Sequence, residues 1–86
     1  MDFMIDEKNW EAYRTQVLNK EEFPKDQKKF LKKQFSKAHR LMEKMIADES
    51  NERLIALGMK ALRDFFSLVY RLTGISATPS NFIVFW

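Results

Sequence analysis

The stretch from residue 51 to residue 75, NERLIALGMKALRDFFSLVYRLTGI, decides the fold. Asp48, Ser50 or Asn51 can cap a helix at its start, and Gly74 can end it, with Ile75 as the apolar residue that follows. Arg53, Lys60, Asp64, Ser67 and Arg71 fall in one narrow polar stripe. Leu54, Ile55, Leu57, Met59, Leu62, Phe65, Phe66, Leu68, Val69 and Leu72 take up most of the remaining circumference. A helix this widely apolar is covered on more than one side. The spacing therefore predicts a central helix from about Asn51 to Thr73. Gly58 lies in the middle of its apolar arc. Glycine in a helix interior costs about 1 kcal/mol relative to Ala. The position predicts either a break or the close approach of a bulky neighbour.

Two more helices precede it. From Lys25 to Ala47 the residues Leu31, Phe35, Ala38, Met42 and Met45 recur at helical spacing, and Phe30, Leu41 and Ile46 widen the stripe. Lys29, Lys33, Lys37, Arg40 and Lys44 lie opposite. The first helix runs from about Asp6 to Leu18. Asp6 is its N-cap, and Ile5 with Trp10 has the spacing of a hydrophobic staple. Pro24 ends the segment that follows by pushing Phe23 out of the helical region.

The C-terminal stretch ISATPSNFIVFW cannot prolong the third helix past Gly74 and Pro79. TPSN is turn chemistry. Phe82, Ile83, Val84, Phe85 and Trp86 suit an extended strand that is apolar on both faces. Such a strand is expected to fold back onto the helices, with residues 2–5 as its partner, or to contact a second protein or a second copy of the chain. The fold class is thus all-α: a three-helix bundle with a central third helix, an extended apolar tail packed on it, and pairing of the two terminal segments. At 86 residues the chain is expected to form one domain, residues 1–86.

The composition narrows function. No cysteine is present, and His39 is the single histidine. That excludes thiolate chemistry and a multi-histidine metal site within one chain. There is no glycine-rich phosphate loop and no serine in a nucleophile-elbow context. Glu21 and Glu22 read as loop charges, and His39 as a solvated or helix-bonded side chain. No catalytic residue and no cofactor is expected. The N-terminal segment is acidic and unlike a secretory signal, and no run is long enough to span a membrane. A cytoplasmic protein follows, with a membrane partner disfavoured.

The net charge of +3 is unevenly spread. Residues 1–24 carry six acids and three bases, residues 25–46 eight bases and two acids, and residues 47–86 four of each. The basic character belongs to the second helix, where Lys29, Lys33, Lys37, Arg40 and Lys44 form a candidate anion or nucleic-acid surface. Phe30 and Phe35 are expected on its core side, out of reach of bases. Met42, Met45 and Met59 read as core filling or as the floor of an adaptable groove. In size and helix content the chain resembles the small helical proteins of bacteria and phages that bind and inhibit larger proteins. The reading is a non-enzymatic protein-binding regulator or inhibitor, with Phe82–Trp86 as the candidate protein or homodimer contact. The alternative is a nucleic-acid-binding protein that uses the basic helix.

Overall fold

The computed structural model describes residues 3–20 and 23–85. It is an all-α three-helix bundle closed by a two-stranded ribbon. The order is β1 (Phe3–Ile5), α1 (Glu7–Leu18), α2 (Lys25–Ala47), α3 (Glu52–Thr73), a single 3₁₀ turn (Pro79–Asn81) and β2 (Ile83–Phe85). The strands are antiparallel, with Phe3 opposite Phe85, Met4 opposite Val84 and Ile5 opposite Ile83. The bundle is elongated, 41 × 23 × 18 Å.

Local chemistry sets each boundary. The Asp6 carboxylate accepts from the Asn9 amide at 3.2 Å and caps α1. The Asn51 side chain accepts from Leu54 N–H at 3.1 Å and caps α3. Gly74 ends α3 in the left-handed conformation, φ 75°, where a residue with a Cβ is strained. The Lys20 ammonium reaches the Thr73 carbonyl at 3.2 Å, a cation at the negative end of the helix. After Gly74 the Thr78 N–H donates to the Asn81 side chain at 2.8 Å, which winds the turn that starts at Pro79.

The core draws on every helix. Leu31, Phe35, Ala38, Met42 and Met45 of α2 are buried, the stripe expected from the sequence. Trp10, Tyr13, Val17 and Leu18 of α1 and Leu62, Phe65, Phe66 and Val69 of α3 join the same core, and the Trp10 and Tyr13 rings meet Phe65 and Phe66. The third helix is packed by α2, by the rings of α1 and by the C-terminal segment, and α2 is in turn packed by α1 and α3. The apolar arc of α3 is not fully covered. Leu57 is 58% exposed and Tyr70 55%, because two helices and a short ribbon cover only part of a helix surface.

The tail folds inward. Phe82 is 2% exposed; it meets Trp10 edge to face at 5.1 Å and packs at a tilt against Tyr13 at 5.0 Å and Phe66 at 5.5 Å between ring centroids. Its carbonyl accepts from Asp6 N–H at 2.7 Å, which continues the ribbon up to the cap of α1. The Asn9 side chain donates to the neighbouring Asn81 carbonyl at 2.6 Å. Phe82 is therefore a core residue, and this corrects its grouping with the external contacts.

Gly58 is buried without breaking α3. A Cβ built there would collide with Met45 Sδ and stand 2.9 Å from Met45 Cγ. Close approach is thus the reason for this glycine. Gly58→Ala gains about 1 kcal/mol of helix propensity. It must also displace a Met45 side chain held in a packed core, a cost of about 1–3 kcal/mol. The expected net result in urea denaturation is a loss of stability, larger for Gly58→Leu. The loss should be relieved when Met45 is shortened to Ala in the same chain. Phe82→Ala is expected to destabilise by about 3–5 kcal/mol, enough to unfold much of a domain this small. An unchanged denaturation midpoint would remove the tail from the core.

Candidate functional site

The ribbon, the end of α2, the first half of α3 and the Pro79 turn surround an open groove of ≈ 510 Å³. Phe3 and Ile83 of the ribbon, Met45 and Ile46 of α2, and Ile55, Ala56 and Met59 of α3 line it. Pro79 and Ser80 also line it, and the exposed carboxylates Glu49 and Glu52 give it an acidic margin. Such a volume suits a few buried side chains, since ligand cavities run from about 300 to 1,000 Å³. Among the described residues that line the groove, the charged ones are Glu49 and Glu52. The Glu49 carboxylate also accepts from Phe3 N–H at 3.3 Å and ties the ribbon to the loop between α2 and α3.

Several sequence features converge here. The pairing of the chain ends supplies Phe3 and Ile83. Gly58 admits Met45 to the surface of α3. Met45 and Met59, expected as core or groove residues, both line the groove, Met45 as a buried residue and Met59 half-buried. Ile83 is half-buried, and Val84 is 40% exposed on the outer face of the ribbon beside Met4, 41% exposed. Phe85 takes part in the strand pairing. Trp86, Glu21 and Glu22 lie outside the described residues.

The basic face of α2 is on the opposite flank of that helix from the core. Lys29, Lys33, Lys37, Arg40 and Lys44 are all exposed. Among the described residues none of them belongs to an ion pair. The structure corrects one neighbour. Phe35 is fully buried, as expected, but Phe30 is 46% exposed. Its position on the wheel lies at the edge of the apolar stripe, on the side of Lys33 and Lys37, whereas the next residue, Leu31, lies in the middle of the stripe and is fully buried.

His39 is tied down from both sides. Its Nε2 lies 3.0 Å from Glu7 of α1, and its Nδ1 lies 3.0 Å from Glu43 one turn further along α2. Only the imidazolium donates to both carboxylates at once, whereas the neutral ring donates to one. The Trp10 ring lies 6.2 Å away. Glu43 is four residues from His39 and was legible as a helical pair, but Glu7 comes from another helix and was not. Among the described residues no cluster of three or more potential ligands is placed to hold a metal ion. No helix among them is long and apolar enough to cross a membrane.

Among the described residues Tyr13 carries the one group with a clearly perturbed pKa. It is 6% exposed, its hydroxyl has no hydrogen-bond partner among the described residues, and burial raises its pKa well above the usual 10.0. The surroundings are the rings of Trp10, Phe35, Phe66 and Phe82. This is an aromatic packing position that holds an unsatisfied hydroxyl. Tyr13→Phe removes that hydroxyl and is expected to raise stability at neutral pH by about 1 kcal/mol. The sign of the pH effect follows from linkage: the folded chain keeps the phenol proton that the unfolded chain releases. Tyr13's contribution is therefore complete below pH 10.0 and declines as pH rises above it. Denaturation at alkaline pH should show this decline in the parent chain and a shallower one in Tyr13→Phe.

Comparison of the chain with protein-family models, with curated proteins and with solved structures finds no match.

Proposed function

We propose that this chain is a small, non-enzymatic, cytoplasmic protein-binding regulator or inhibitor, and that the acid-margined groove is its contact surface. The observation that carries the reading is the groove itself: an apolar trough of ≈ 510 Å³ with Glu49 and Glu52 on its margin. Met59 supports it, because an unbranched thioether repacks around a guest at little cost. The chemistry selects the partner. An amphipathic segment would lay apolar side chains between Ile83 and Ile55 and place lysine or arginine over Glu49 and Glu52. A homodimer has a separate basis, the exposed pair Met4 and Val84 on the outside of the ribbon.

The test is affinity capture from the native host with the intact chain and two surface variants, Ala56→Glu and Glu52→Gln. Both positions are exposed, so the fold is expected to survive, which circular dichroism checks. Ala56→Glu should abolish capture of the partner. Glu52→Gln should weaken it several-fold and reduce its sensitivity to salt. Lys37→Gln, on the far side of α2, should leave it unchanged. A partner held equally by all three variants overturns the groove reading. Sedimentation at rising concentration reads out the homodimer, which Val84→Glu should dissociate.

A further inference from the structure

We propose that the outward face of α2 binds single-stranded nucleic acid, with its lysine row on the phosphates and Phe30 stacked on a base. The surface is separate from the groove and stands without it. Lys29, Lys33, Lys37, Arg40 and Lys44 are exposed along one side of a 23-residue helix. Four-residue steps set neighbouring charges about 6 Å apart along the axis, close enough to follow a phosphate backbone. Arg40 shares a hollow with Glu7, Glu11 and Glu43, so the phosphate contacts fall to the lysines, none of which belongs to an ion pair among the described residues. Glu43 is engaged by His39, and the other acid of the helix, Asp26, lies in its first turn.

Phe30 decides the class of ligand. It precedes Lys33 by three residues and Lys37 by seven, so it shares their flank, and nearly half of its surface faces water. An aromatic ring beside a row of cations is the arrangement that holds unpaired bases. A duplex hides those base faces. Lysine dominates the row, and the bidentate residues that read base edges are few, so binding is expected without sequence preference. An anionic bilayer fits less well. To enter it, α2 would need a free apolar face, and Leu31, Phe35, Ala38 and Met42 are already committed to the core. An acidic protein would find the charges but has no use for the ring.

The test is fluorescence anisotropy of the intact chain with labelled oligothymidine of about 20 nucleotides, long enough for one site. Salt is varied from about 50 to 200 mM. Affinity should fall with salt at a log–log slope of about −0.7 for each phosphate neutralised. Lys29→Gln with Lys33→Gln and Lys37→Gln should flatten that slope by about 2. Phe30→Ala should weaken binding about five- to one-hundred-fold and leave the slope unchanged. Every substituted side chain is exposed, and the pair Lys33→Gln with Lys37→Gln serves if the triple variant loses helicity. Absence of binding at the lowest salt overturns the proposal. So does an unchanged affinity in Phe30→Ala, equal affinity for a duplex of the same length, or binding to phosphatidylserine vesicles that the oligonucleotide does not displace. Ala56→Glu should bind the oligonucleotide as the parent does, so failure at the groove and failure on α2 are distinguishable.

Discussion

The structure depends on the capture of Phe82. Among the described residues it is the member of the buried aromatic cluster that comes from outside the helices. Its ring completes a cluster built around Trp10, Tyr13 and Phe66. Its carbonyl is fixed by Asp6, the residue that caps α1. One short stretch thus closes the core, continues the ribbon and joins the two ends of the chain. An 86-residue chain with no disulfide has few other ways to reach stability. It substitutes side-chain interlock for covalent staples.

A second contact turns the interlock into a surface. Because Gly58 has no side chain, Met45 can lie against α3. The ribbon then covers the end of the α2–α3 hairpin only partly, and the uncovered remainder is the groove. Its apolar walls are core residues or their immediate neighbours, so the groove is continuous with the packing that stabilises the fold. A guest there extends the core outward and need not create a new one. The carboxylates of Glu49 and Glu52 on its margin bias the sign of that guest.

The two candidate surfaces are opposite in charge and lie on different parts of the molecule. α2 contributes to both: its C-terminal residues Met45 and Ile46 line the acidic groove, and its outward face carries the lysine row. A long amphipathic helix in a small bundle permits this division. One stripe is committed to α1 and α3, and the rest is free to meet other molecules.

The sequence by itself determined the helices, their ends and the central stripe that α2 buries. Spacing of three and four residues, the caps Asp6 and Asn51, and the left-handed Gly74 act locally, so they can be read from neighbours in the chain. It also pointed to residues 2–5 as the strand partner of the tail, and the structure pairs Phe3–Ile5 with Ile83–Phe85 while burying Phe82 and leaving Val84 exposed. Distance along the chain hid the rest. The sequence left open whether Phe82 faced inward or outward. It placed Phe30 on the core side, since the pattern alone does not show how far round α2 the cover reaches, and Phe30 stands at the edge of the stripe. It could not pair His39 with Glu7, or assemble Phe3, Met59 and Ile83 into one trough. Those outcomes follow from which surfaces are left over when three helices and a ribbon have packed, and only the tertiary structure decides that.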